Sequence, residues 1–206
     1  MLINQDIRSS HRAAVSASVA IVNYVTPNDL HRSTPCAGWN LSQLLSHMTV
    51  QHRGFAAAAR GDGADPAPWD IATVTDAVTA DPAGAYAAAA ADVLEAFAAE
   101  GVLAASFALP EFGPGAAFPG SQAIGFHFVD YVVHGWDVAR AIDQPFVLPA
   151  DVISTVLPLA FAVPDGDFRT APDSPFARAI DAAEGVSDLD RILLHLGRSP
   201  AWTSSP

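Results

Sequence analysis

Apolar residues recur at intervals of three and four along much of the chain, which is the spacing of one buried helical face. The first such stretch runs from about Asn4 to Val25 and stops near Pro27. A second helix is predicted after Trp39, because Asn40 is a good N-cap and Gln43 can complete a capping box. Its buried stripe contains Leu41, Leu44, Leu45 and Met48.

A third helix is predicted to open at Asp81 and Pro82, an N-cap followed by a proline at the first helical position. It continues through a run of alanines to about Ala99, and alanine is the best helix former. The fourth helix is predicted from about Ser121 to Ile142. Between them lies a long loop rich in glycine and proline, with a short hairpin expected around residues 103–109.

The C-terminal part of the chain is predicted to hold two shorter helices. One starts near Pro149 and the other covers about Leu189 to Leu196, with a proline-containing loop from Pro164 to Pro175 between them. Several helices with little strand signal predict an all-α, four-helix-bundle fold. We expect residues 1–145 to form the bundle and residues 146–206 to pack on it as a helical extension of one domain.

Charge and composition narrow the classes of partner. Acidic residues number 22 against ten lysines and arginines, which gives a net charge of -12 with neutral histidines. Such a surface repels nucleic-acid phosphates and anionic lipids. We therefore expect a small-molecule partner, no nucleic acid and no membrane surface, and the alanine-rich third helix offers a face for a homodimer.

The single cysteine, Cys36, excludes an internal disulfide and fits a reducing compartment. The apolar stretch from Ala13 to Val25 has an alternative interpretation as the hydrophobic part of a secretory signal. Ser16, Ser18 and Asn23 interrupt it, and its helical spacing favours an ordinary helix. No segment stays apolar over the roughly 20 residues that a membrane span requires. We expect a cytoplasmic protein.

The fourth predicted helix carries four polar residues spaced three, four and three apart, so they form one row beside its apolar stripe: His127, Asp130, His134 and Asp137. An aspartate and a histidine four residues apart can bind one metal ion, with a further ligand from a facing helix. The second helix offers His47 and His52, and helical-wheel geometry mildly favours His47. The alternative is an ordinary hydrogen-bonded pair at the surface.

Several motifs resemble those of a known family. Residues 34–41, reading TPCAGWNL, and residues 44–47, reading LLSH, resemble the first signature of the mycothiol-dependent maleylpyruvate isomerase-like proteins. Residues 130–141, reading DYVVHGWDVARA, resemble the second. Residues 146–149, reading FVLP, and 190–200, reading DRILLHLGRSP, resemble the tail of the actinobacterial metal-binding branch. The family belongs to the DinB-like superfamily of metal-binding helical bundles.

The resemblance implies that His47, Asp130 and His134 bind a divalent metal ion. Maleylpyruvate isomerases have glutamate where this chain has Asp130, which is one methylene shorter. The resemblance also implies that this chain lacks a C-terminal domain of the true isomerases. His52 and His127 are then either outer-shell partners or additional ligands.

Two imidazoles and a carboxylate leave a coordination position open, as in catalytic sites. Zinc is the expected ion, and nickel or iron suits the same donors. The leading hypothesis is an enzyme, a thiol transferase or isomerase, that activates water or a thiol such as mycothiol against a small electrophile. The rival is a non-catalytic bundle in which the metal is structural.

Five other residues carry weaker predictions. Asp137 is either an outer-shell carboxylate that orients a histidine or an exposed acid. We interpret Cys36 as a small buried thiol, the alternative being a reactive one with a lowered pKa. Packing is expected for Trp39 and Trp136, with a place in a metal-site pocket as the alternative. Arg140 is expected in an ion pair, the alternative being contact with a substrate carboxylate.

Overall fold

The computed structural model describes residues 6–36, 38–171 and 174–204. The predicted helix residues Asn4 and Gln5, and two positions of the predicted loop, Pro172 and Asp173, lie outside these ranges. The described chain forms helices α1 (Arg8–Val22), α2 (Leu41–Arg60), α3 (Ala72–Ala80), α4 (Pro82–Ala96), α5 (Gly120–Ala141), α6 (Ala150–Phe161) and α7 (Asp188–His195), and strands β1 (Ser106–Ala108) and β2 (Ala117–Pro119).

Four of the helices close into a bundle. Helix α1 packs against α4 and α5, and α2 packs against the same two helices from the other side. Apolar faces of all four helices fill the space between them, with buried residues such as Val15, Leu45, Tyr86 and Tyr131. The prediction of an all-α four-helix bundle is confirmed.

Helix α3 was not predicted from the sequence. Its nine residues, ATVTDAVTA, contain five β-branched side chains, which disfavour helix on intrinsic propensity. Only Val74 and Val78 are buried in it, so it presents a weak helical pattern. Packing against α2 and α4 stabilises this helix.

The predicted hairpin exists but is longer than expected. Strand β1 pairs antiparallel with β2, and Phe107 lies opposite Phe118. Only the first strand falls within the predicted residues 103–109. Its partner comes after a further loop, which has glycines at positions 113 and 115. Both glycines adopt a positive φ, which few other residues tolerate.

The C-terminal helices cover the bundle. Helix α6 packs on α1 and α5, and α7 packs on α6. Val152, Val156 and Ile192 belong to the same buried apolar cluster as Phe128 and Val132 of α5. The domain boundary at residue 145 stays a prediction. No helix among the described residues is long and apolar enough to span a membrane.

The start of α2 is formed as the sequence predicts. The Asn40 side chain accepts a hydrogen bond from the backbone of Gln43 at 3.0 Å, and Gln43 Oε1 accepts one from the Asn40 backbone at 2.9 Å. We expect Asn40→Ala to lower the free energy of unfolding by about 1 kcal/mol, because the Asn40 oxygen no longer caps the helix. Urea denaturation would measure it, with Ser42→Ala in the same turn as the control; equal stability of both variants would contradict the expectation.

Candidate metal centre

Two helices of the bundle bring the three predicted ligands together. Helix α2 supplies His47, and α5 supplies Asp130 and His134 one turn apart. Asp130 Oδ1 lies 3.3 Å from His134 Nε2, and Asp130 Oδ2 lies 3.9 Å from His47 Nε2. The two imidazole centroids are 5.3 Å apart. Each of the three residues therefore offers one donor atom, and no two of these atoms are more than 4.8 Å apart.

The cluster of His47, Asp130 and His134 is partly exposed to solvent. The side chains of His47 and Asp130 are each 25% exposed, whereas that of His134 is only 4% exposed. Burial lowers the pKa of His47 to about 4, an effect that the nearby Asp130 carboxylate partly opposes. At neutral pH the His47 ring is therefore uncharged, and an uncharged ring is the form that binds a metal ion.

The donor set and spacing fit a divalent ion. Two ligand atoms bound at zinc–nitrogen or zinc–oxygen distances in a tetrahedral site lie about 3.3 Å apart. The 3.3 Å between Asp130 Oδ1 and His134 Nε2 matches this value. The 3.9 Å between Asp130 Oδ2 and His47 Nε2 would need to shorten only slightly. The shorter Asp130 side chain thus reaches both imidazoles.

Asp137 forms a hydrogen bond with the ring nitrogen of His134 that does not face Asp130. Its Oδ2 accepts a hydrogen bond from His134 Nδ1 at 2.9 Å and is also 3.3 Å from Arg198 Nη2. Burial acts to raise the pKa of Asp137, but the Arg198 charge and the His134 hydrogen bond outweigh it, so the pKa is lowered. Because the ionised carboxylate only accepts, Nδ1 of His134 carries the proton and Nε2 directs its lone pair to Asp130 and His47.

Asp137 is fully buried, so its alternative interpretation as an exposed acid is wrong. The row of four polar residues was expected at the edge of the core, yet His127, His134 and Asp137 are buried. The segment after α7 contributes to this burial, since Arg198 contacts Asp137 directly. Only Asp130 lies at the edge.

Cys36 lies closer to the site than expected. Its thiol accepts a hydrogen bond from Arg198 Nη2 at 3.3 Å and can approach His134 and Asp137 within 4.8 Å. Burial raises the pKa of Cys36 to about 11, although the Arg198 charge opposes the shift. The alternative of a reactive thiol with a lowered pKa is therefore wrong. A cation between Cys36 and Asp137 would also meet the Arg198 charge, which disfavours a metal ion there.

His52 and His127 do not belong to the cluster of His47, Asp130 and His134. His127 Nδ1 is 2.8 Å from His11 Nε2, and its Nε2 is 3.1 Å from His52 Nδ1. All three rings are buried, and Tyr131 stacks on both His52 and His127. They form a separate chain of histidines that joins α1, α5 and α2.

The remaining candidates divide between the site and the core. The Trp39 ring packs 4.9 Å from the His47 ring and so forms part of the wall of the site. Trp136 is buried in the core as expected. Arg140 lies over Trp136 and donates to the backbone oxygen of Trp202, and it forms no ion pair with any described residue. Its contact with a substrate carboxylate stays a prediction.

Arg198 is the site residue that sequence reasoning missed. It lies in the quoted motif DRILLHLGRSP, but no pattern in the sequence pairs it with Asp137, which is 61 residues away. The available signal was that Arg198 is one of only ten basic residues outside histidine in an acidic protein, and that it lies in a motif resembling the tail of the family.

Comparison with known proteins gives one family. The family model described as "Mycothiol maleylpyruvate isomerase N-terminal domain" matches residues 11–139, which is more than half of the chain. Two Mycobacterium tuberculosis proteins, the uncharacterized proteins MT0763 and Rv0738, are each 28% identical over 191 residues. The match covers 92% of this chain and 96% of each relative.

Two solved structures share the fold. A crystal structure of the mycothiol-dependent maleylpyruvate isomerase matches with a TM-score of 0.63 and 14% identity, over 96% of this chain and 90% of that chain. A histidine-to-alanine mutant of that enzyme matches with a TM-score of 0.56 and 14% identity, over 74% of this chain and 65% of the mutant chain. The expected lack of a domain relative to the isomerases does not hold for the first structure, since 90% of it is covered.

Proposed function

Because the chain belongs to the family of the mycothiol maleylpyruvate isomerase N-terminal domain, we propose that it binds one divalent metal ion and uses it in catalysis. His47, Asp130 and His134 are the proposed ligands, and the convergence of their donor atoms within 4.8 Å carries the proposal. Zinc is the proposed ion, and nickel or iron suits the same donors. The proposed reaction is the attack of a low-molecular-weight thiol or of water on a small electrophilic substrate.

The metal ion, when bound, would favour the deprotonated form of a coordinated thiol or water. The protein's own groups prepare that position. Asp137 fixes the proton of His134 on Nδ1, and burial keeps His47 neutral. Trp39 shields one side of His47 from solvent, while the exposed parts of His47 and Asp130 leave a way in for a ligand.

Mycothiol is the proposed cosubstrate, because the matched isomerase is described as mycothiol-dependent. A thiol and not a nucleic acid suits a site reached from an acidic surface. A cytoplasmic location fits Cys36, whose thiol is held by Arg198 and not by a disulfide. Homodimer formation through α4 stays a prediction.

Metal content tests the proposal. Protein purified without a histidine tag should carry close to one metal ion per chain, and His47→Ala and His134→Ala should each lose most of it, because each removes one of three ligands. Elemental analysis of the wild type and both variants measures this. His31→Ala, at an exposed histidine, is the matched control and should keep the metal. Equal metal in all four proteins would refute the site.

A chelator separates catalysis from the rival structural role of the metal. A structural ion contributes directly to folding, so its removal would unfold the bundle. We expect the helical circular dichroism signal to survive the chelator at neutral pH, because both helices that bear the ligands are already packed by apolar residues. Rapid loss of helicity would instead favour the structural role.

A further inference from the structure

A short turn between the two strands reaches the metal centre. It consists of residues Pro110–Phe112. Gln51 Nε2 donates a hydrogen bond to Glu111 Oε2 at 3.1 Å. Gln51 lies four residues after His47 on α2, so it occupies the same helix face one turn along, about 6 Å away. The hydrogen bond therefore places the Glu111 carboxyl over the face of α2 that carries His47, about one helical turn along from it.

The same turn also contacts the other helix that bears ligands. The Phe112 ring packs 5.0 Å from the rings of Phe118 and Phe126. Phe126 lies four residues before Asp130 on α5, again one turn from a ligand. Helices α2 and α5 run antiparallel, because His52 meets His127 while His47 meets Asp130 and His134. Gln51 and Phe126 therefore lie on the same side of the cluster along the helix axes, and the turn that carries Glu111 contacts both of them.

The Glu111 carboxyl has properties suited to proton transfer at neutral pH. Burial by the surrounding groups and, to a smaller extent, the Asp130 charge raise its pKa to about 7, and the Gln51 hydrogen bond opposes both. No basic side chain forms a salt bridge with Glu111 in the described ranges. Part of Glu111 stays exposed to solvent, so a bound molecule can reach it.

We propose that Glu111 is the general acid–base of the site, which rests on the function proposed above. Its carboxylate takes the proton from the thiol S–H, and the electron pair of that bond stays on sulfur. The sulfur attacks the electrophilic carbon, whose π-bond electrons move to the adjoining acceptor atom. Glu111 then returns the proton to the atom that has become basic, so that the carboxylate is regenerated.

The first test observes the carboxyl directly. The chain has four glutamates, so labelling glutamate with ¹³C at Cδ gives few signals, and Glu111→Gln identifies the one that belongs to position 111. Loading with Zn²⁺ should lower the titration midpoint of Glu111 by about one pH unit, because a cation within roughly 10 Å favours the ionised form. In His134→Ala the midpoint should not move. A wild type that binds zinc without this shift would overturn the role of Glu111 alone, and a wild type that binds no zinc would overturn the proposed function as well.

The second test follows the proton. The zinc-loaded protein is titrated with β-mercaptoethanol by calorimetry in two buffers of different ionisation enthalpy, which counts the protons released as the thiol binds. A thiol that binds as thiolate releases one proton. At pH 7 wild type should release roughly 0.4 of a proton fewer than Glu111→Gln, because the negative charge of the bound thiolate raises the Glu111 pKa that zinc had lowered, so the carboxylate takes up part of a proton. Glu95→Gln, at an exposed glutamate of α4, is the control and should match wild type. Equal release from all three proteins would overturn the proposal.

Discussion

Lowering the pH from 7 to 5.5 should cost the folded apoprotein about 4 kcal/mol through three buried histidines alone. Burial lowers the pKa of His11 to about 3, and it lowers the pKa values of His52 and His127 well below their usual value. In the unfolded chain each ring has a pKa near 6.5. Below that pH the unfolded chain binds more protons than the folded one, so stability falls as the pH falls.

Burial, and not the hydrogen bonds between them, explains why the three rings resist protonation. Each neutral ring has one N–H and one lone pair. His127 therefore donates one of its two hydrogen bonds and accepts the other, so both bonds run in the same direction along the three rings. An added proton would place a charge among Phe55, Phe97 and Tyr131, which offer no compensating negative charge. No acidic side chain bonds to any of the three rings within the described part of the chain.

The histidine contribution is measured as a difference between variants. Glu111 acts in the opposite direction over the same range, because its pKa is raised. His52→Phe should therefore lose about 1.3 kcal/mol less than wild type between pH 7 and 5.5, since one titrating ring is gone. Urea denaturation at several pH values gives these free energies. His31→Phe, at an exposed histidine, should follow wild type, and identical pH profiles for all three proteins would contradict the interpretation.

Asp137→Asn should destabilise the protein by about 3–5 kcal/mol and weaken metal binding about 10- to 100-fold. The substitution keeps the shape of the side chain but removes the charge that faces Arg198, which is itself buried. It leaves an uncompensated guanidinium in the core, and it removes the strong acceptor that orients His134. Thermal unfolding and competition with a metal indicator measure the two effects separately.

The double variant Asp137→Asn, Arg198→Leu distinguishes the two roles of Asp137. Removing both partners of a buried ion pair is often close to neutral for stability, so this variant should recover most of the lost free energy. Its metal affinity should stay low, because the carboxylate behind His134 is still missing. Recovery of both properties would show that Asp137 affects the metal only through the fold.

Local patterns in the sequence were sufficient for the main helices. Asn40 with Gln43, and Asp81 with Pro82, mark the first turns of α2 and α4, because capping depends on residues within one turn of each other. Helix α3 escaped prediction because it depends on packing against α2 and α4 and not on the propensity of its own residues. The strand that pairs with β1 escaped because a loop separates the partners.

The spacing of the proposed ligands Asp130 and His134 could be read from the sequence in the same way, since both lie on one helix face. The choice of His47 over His52 was only mildly favoured by the helical wheel, because the two faces of α2 differ mainly in what packs against them. The structure brings His47 to Asp130 and sends His52 to His127.

By itself the sequence determined every helix except α3, the caps of α2 and α4, and a row of polar residues along α5, because these follow from interactions within a few residues. Only the tertiary structure decided which distant groups meet: Arg198 with Asp137, the Glu111 turn with Gln51, and His11 with His127. Such contacts depend on how the helices pack and on where loops return to the bundle. The residue pattern of one segment does not specify which distant segment will pack against it.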